Sequence, residues 1–250
     1  MNKATKISRL EYLKSVLTEP ALTIRAAQDY AGNEVRAKTR DALGRMADAH
    51  LLIAGVIGGM LLRTDGKRTE SGDAMHERCV LFASYVVGMS LCEQAIEEGR
   101  YLQSLALLRQ EMETLAQVVS SQSGKRKHGK VANVTVLRKD ISRLYGTLSA
   151  AAHSSKHSMA SELLTRKVES EHRISTGTYF YPVLNAELAR RAFALHLILT
   201  VDLICQMAVD YQQTHPSDGV GALDQETVNL ALALMAEEGM VEAEKKRGPA

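Results

Sequence analysis

Apolar side chains recur at helical spacing in almost every segment of this chain from residue 3 to about residue 213. A period near 3.6 turns one face of each segment toward a core, whereas a strand alternates its faces every two residues. Only four Pro fall in the 250 residues, so few turns are interrupted. These patterns predict an all-α, multi-helix bundle of about seven helices. Its core must be aliphatic and thioether-rich, because the chain has no Trp and only three Phe but ten Met.

The spacing predicts a short amphipathic helix over 3–17, closed before Glu19-Pro20. A second covers about 20–31 and breaks at Gly32-Asn33, and a third runs from about 34 to 63. Residues 64–73 read as a polar loop with Asp73 as a cap. Helices over about 74–97 and 100–121 meet at Glu98-Gly99 as an antiparallel hairpin, and a further helix is expected over 134–157. Residues 173–184, RISTGTYFYPVL, are the exception: Thr, Tyr and Phe enrichment and a terminal Pro predict a short extended segment or hairpin. Asn185 then caps a long apolar helix reaching about Gln213. On this reading 1–214 form the bundle domain. Residues 215–250 supply a linker, a short helix capped by Asp224 and a disordered tail.

The net charge of +2 is unevenly spread. Residues 124–143 hold Lys125, Arg126, Lys127, Lys130, Arg138, Lys139 and Arg143 against one acid, Asp140. That stretch can touch a phosphate or nucleic acid, but no aromatic residues interleave with it as a base-stacking platform requires. A solvated connection is the plainer reading, and nucleic acid is not favoured as a partner. Cys79, Cys92 and Cys205 are odd in number and lie in apolar helical stretches, which reads as buried, reduced thiols. The longest uncharged runs, 49–62 and 79–92, fall short of the roughly 20 residues of a spanning helix. A cytoplasmic protein without membrane segments is expected.

Four polar residues stand at four-residue steps: Tyr145, Ser149, His153 and His157. Arg109 and Glu113 are likewise four apart, some forty residues earlier. Such steps stack side chains on one helix face. The row runs beside the apolar positions Leu137, Ile141, Leu144 and Leu148, so its polar groups need partners. The expected outcome is a buried cluster of Arg109, Glu113, Tyr145, Ser149 and His153, joined by Asp202 from the most apolar helix. A functional reading makes Arg109 an anion binder and His153 a proton carrier. The structural reading, an ion pair with its hydrogen-bond partners, explains the same residues more simply. His153 and His157 have the spacing of two metal ligands, yet no H-E-x-x-H or paired C-x-x-C accompanies them, so no metal and no cofactor is expected. His50, His76, His128, His196 and His215 stand alone, and His196 reads as a satisfied core histidine.

The pairing of Arg109-QEM-Glu113 with Tyr145-GT-Leu148-Ser149-AAA-His153, followed by a Pro-containing extended segment and a long apolar helix, resembles a loosely defined group of bacterial all-helical proteins of unknown function, some found near mobile or defence elements. The resemblance covers about residues 75–212. That group is similar to the HEPN (higher eukaryotes and prokaryotes nucleotide-binding) helical bundles, whose ribonuclease members carry R-x(4–6)-H. The chain contains Arg45/His50, Arg166/His172, Arg190/His196 and Arg191/His196 at such spacings. The resemblance implies, as an alternative, a ribonuclease or nucleotide-binding toxin. The leading expectation from the residues is a non-enzymatic helical module that binds a protein partner or a small anionic ligand, or pairs as a homodimer.

Overall fold

The computed structural model describes residues 3–67, 72–127, 129–130, 133–153, 157–170 and 173–241. In chain order these form α1 (Lys3–Leu43), α2 (Met46–Thr64), α3 (Asp73–Glu97), α4 (Tyr101–Gln122), α5 (Lys139–Ser142), α6 (Tyr145–Ala152), α7 (His157–Leu164), β1 (Thr165–Ser170), β2 (Arg173–Thr178), α8 (Ala186–Thr214) and α9 (Ala222–Glu237). The molecule is an all-α, multi-helix bundle with one small hairpin.

Helix α8 is its axis. Buried Ala189, Phe193, Leu197, Leu203 and Met207 let it meet α1, α2, α3 and α4. Asn185 starts it as expected, its Oδ1 accepting from the Leu188 amide at 3.0 Å. The Tyr101 hydroxyl accepts from the Asn185 amide at 2.7 Å, which ties the start of α8 to the start of α4. The α3–α4 hairpin turns at Glu98-Gly99 as anticipated. Gly99 sits at φ +72°, and an added Cβ would lie 2.7 Å from the Val183 carbonyl oxygen. Met46, Met60, Met112, Met207 and Met235 are fully buried, filling with thioethers the space a Trp-free core leaves.

Several expected boundaries move. The first two expected helices and the start of the third are one element, α1, which runs through Pro20 and past Gly32. Pro20 removes a single backbone donor on a stretch where every residue is exposed, so water satisfies the acceptor that loses its bond. The chain breaks instead at Gly44, at φ +54°. The helix expected over 134–157 is a 3-10 turn at Val134–Val136 followed by α5, α6 and the start of α7. Asn133 Oδ1 caps that turn through Thr135, and the backbone is extended at Leu137 and Arg138. Leu137, Ile141 and Leu148 are buried as the stripe required, whereas Leu144 is exposed. The extended segment is β2, paired antiparallel with β1, whose residues had not been read as a strand.

Gly72, not Asp73, occupies the N-cap of α3. Gly221 likewise caps α9, with Asp224 at the third helical position accepting from the Gly221 amide at 2.8 Å. Helix α9 packs on α2 through buried Ala231, Leu234 and Met235. The tail read as disordered lies outside the described residues. Cys92 is buried, but Cys79 and Cys205 are exposed, against the expectation for them; all three are free thiols. By length and composition α2, α3 and α8 are each apolar enough to cross a membrane. Uncharged runs alone do not show this, because single ionisable residues interrupt otherwise apolar helices.

Candidate functional site

Arg109 and Glu113 stand one turn apart on α4, and Tyr145 opens α6 across from them. Arg109 Nε donates to Glu113 Oε1 at 2.9 Å, and the Tyr145 hydroxyl donates to the same oxygen at 2.6 Å. The guanidinium lies 5.5 Å from the centre of the Tyr145 ring, within cation–π range. His153, at the C-terminal end of α6, places Nε2 2.7 Å from Arg109 Nη1. A guanidinium only donates, so this imidazole nitrogen is the acceptor. The tyrosine is harder to ionise than usual because of partial burial and its hydrogen bond to Glu113. The sequence therefore brings these four residues together.

The remaining expectations for this cluster need correction. It is a half-buried rim feature and not a buried one, with His153 exposed. Ser149 is on the same helix but makes no side-chain hydrogen bond among the described residues. Asp202 is not a member: it faces Arg138 at 3.7 Å on another part of α8, where burial raises its carboxyl above the ordinary range. Glu113 already neutralises Arg109, so no second acid is required. His157 begins α7 and not the helix of His153, and its side chain lies outside the described residues. Glu113 occupies Arg109 Nε and His153 faces Nη1, so an anion entering here would compete with both for the guanidinium.

The basic stretch does not act as a unit. Arg126 folds back onto α3, its Nη1 2.6 Å from Glu77 Oε1, while Lys125, Lys127 and Lys130 are exposed. Nor do the described Arg/His pairs form a joint face. Arg45 pairs with Glu237, Arg191 with Glu187 at 2.6 Å, and Arg190 donates to the Ala42 carbonyl at 2.6 Å. Arg166 and His172 fall on side chains outside the described residues.

A second polar cluster, which the sequence reading passed over, lies inside the bundle. His196 on α8 is fully buried, and its Nδ1 lies 2.9 and 3.0 Å from the two carboxylate oxygens of Glu111 on α4. Glu93 Oε1 on α3 is 3.4 Å from His196 Nε2 and 2.9 Å from His50 Nε2 on α2. The Phe193 ring walls the space, 5.5 Å from His50 and 6.2 Å from His196. Cys92 Sγ lies within 4.8 Å of a Glu111 oxygen and a His196 ring nitrogen.

The electrostatics follow from these distances. Burial favours a neutral His196, but the Glu111 charge and the surrounding hydrogen bonds outweigh it and hold the imidazole well above its ordinary range. Burial works against Glu93 as well, yet His196 and His50 beside it hold its carboxyl down to about 2. Burial pushes the Cys92 thiol up to about 11, so it stays protonated. Beyond the pair, the Tyr85 hydroxyl and Thr200 Oγ1 lie 3.3 Å apart, and Thr200 donates to the His196 carbonyl at 2.8 Å.

A sequence signal for this cluster exists. His50 lies at the start of one of the longest uncharged runs and Glu93 abuts the other, His196 interrupts the most apolar helix, and Glu111 falls on the stripe of Leu108 and Leu115. Ionisable residues in such positions have to find one another. Two surface clefts, one beside Tyr101 and Pro182 and one between α2 and α3 over Met207, touch neither cluster. No protein-family profile, curated protein or solved structure matches this chain.

Proposed function

We propose that the chain is a non-enzymatic helical interaction module that pairs with a second copy of itself through the projecting half of α1. One observation carries this reading. Residues 8–26 of α1 are exposed without exception, although they include Leu10 (51% exposed), Leu13 (42%), Leu17 (56%) and Ile24 (46%). These nineteen exposed residues of helix span roughly 28 Å. A helix of that length without tertiary contacts is marginal in water, so an apolar face along it calls for a partner.

The spacing favours another helix of the same kind. Leu10, Leu17 and Ile24 recur every seven residues with Leu13 between, the a and d spacing of a two-helix seam, with Pro20 at the one d position between Leu10 and Ile24 that is not a large aliphatic. In this register Arg9 and Lys14 flank the seam at positions that would face each other in a parallel pair. An antiparallel pair avoids that repulsion and places the two bundles at opposite ends. Each Leu or Ile fully buried in the seam contributes about 1.5–3 kcal/mol.

The test is sedimentation equilibrium of the full chain beside a Leu13→Glu/Leu17→Glu variant. A wild-type dimer that the double substitution converts to a folded monomer supports the reading. A monomeric wild type, or a dimer indifferent to the substitutions, overturns it.

A further inference from the structure

The Nε2 atoms of His50 and His196 are both buried, and neither makes a hydrogen bond among the described residues. Both nonetheless approach the same carboxylate oxygen, Glu93 Oε1, at 2.9 and 3.4 Å. Neither contact has hydrogen-bond geometry. Two imidazole nitrogens left unbonded in a protein interior are costly. An arrangement that leaves two of them unbonded around one carboxylate has the form of a ligand set.

We propose that His50, Glu93 and His196 bind one divalent transition-metal ion in the bundle core, with Glu111 orienting His196 from behind. The three donor atoms lie within 4.8 Å of one another. A tetrahedral ion with bonds of about 2.0–2.2 Å needs its ligand atoms roughly 3–4 Å apart, so small side-chain movements suffice. The donors come from α2, α3 and α8, which matches the way helical bundles build core metal sites from facing helices. Glu111 supplies the supporting contact that metal-bound histidines usually have: a carboxylate on the far nitrogen, which fixes the tautomer and aims Nε2 at the ion.

Cys92, Glu111 and His196 also converge within 4.8 Å, but both Glu111 oxygens are already engaged on His196 Nδ1. The ion therefore belongs on the Glu93 side. The His50 and Glu93 side chains keep 25% and 22% exposure, so the site lies toward the bundle surface on that side, and water can complete the coordination of an ion bound there. Two imidazoles, whose Nε2 atoms the ion would take in place of any proton, and one carboxylate suit zinc or ferrous iron and discriminate against magnesium and calcium, which prefer all-oxygen shells. This site lies in the bundle body and is independent of pairing through α1.

The test uses the full chain stripped with chelator and titrated with Zn2+ by calorimetry and with Co2+ by visible absorption. One ion per chain, with the ligand-field bands of tetrahedral or five-coordinate Co2+, is expected. Glu111→Gln should weaken Zn2+ binding about 10–100-fold. His50→Ala should weaken it further in a chain that still melts cooperatively without metal. His153→Ala should bind as wild type does, which separates this site from the surface histidines. If His50→Ala fails to fold, Glu93→Gln takes its place. Absence of stoichiometric binding, or binding that survives loss of His50 or Glu93, overturns the proposal and assigns the space to a bridging water.

Discussion

Removing the Glu111 carboxylate is the most informative single perturbation of the core. In Glu111→Leu, His196 Nδ1 loses both of its 2.9–3.0 Å contacts in a fully buried site. If the imidazole sheds its proton, an unpaired buried group remains, costing about 1–3 kcal/mol. If Glu93 keeps the imidazole charged, the cost rises to about 3–5 kcal/mol. A chain of this size loses roughly 2–4 °C of melting temperature per kcal/mol, so a 3 kcal/mol loss lowers it by about 6–12 °C. Adding His196→Leu removes the stranded group and replaces the pair with apolar packing, which is close to neutral for many buried ion pairs. The double variant should therefore return to within about 1 kcal/mol of wild type in urea denaturation at equal m-value. Recovered stability together with lost metal binding would show that the pair is retained for binding and not for the fold. A single variant within about 0.5 kcal/mol of wild type, or a double variant no better than the single, would refute the reasoning.

Other outcomes follow from the same contacts. Arg109→Ala should cost about 1–2 kcal/mol through its Glu113 and Tyr145 partners, whereas His153→Ala, on the exposed end, should cost under about 0.5 kcal/mol; thermal melts distinguish the two. Gly99→Ala should lose about 1–3 kcal/mol, read by chemical denaturation, because its Cβ meets Val183 O at 2.7 Å and Val35 Cγ1 at 2.9 Å at φ +72°. Glu98 is buried, which alone would raise its carboxyl, but Gln94, Arg100 and Arg36 prevail and lower it from 4.5. A depressed carboxylate contributes stability that is complete at neutral pH and is lost as pH falls below about 4.5 through the folded value. The melting-temperature gap between wild type and Glu98→Gln should thus be widest near pH 7 and narrow toward pH 3.

Fold class was legible because the bundle is built from helices whose apolar stripes point inward. The Asn185 cap and the Glu98-Gly99 turn were legible because local chemistry decides them. Pro20 misled because a proline breaks a helix mainly where its lost hydrogen bond cannot be replaced by water. The helix expected over 134–157 failed for the opposite reason: Asn133 and the β-branched run Val134–Val136 offer the backbone a better local alternative. Four members of the rim cluster were found because two of their spacings are intrahelical. The His196 cluster joins residues from four helices, and nothing in local spacing reports such a meeting. Only the cost of burying each ionisable group alone could have prompted a search for partners.

Native mass spectrometry of the protein as purified tests the central claim most directly, since one spectrum reports subunit number and bound species together. The account predicts a species of twice the chain mass, each chain carrying one metal ion, that becomes monomeric with Leu13→Glu/Leu17→Glu. A metal-free monomer would contradict it, and a co-purifying nucleotide or RNA fragment would put the ribonuclease reading in its place.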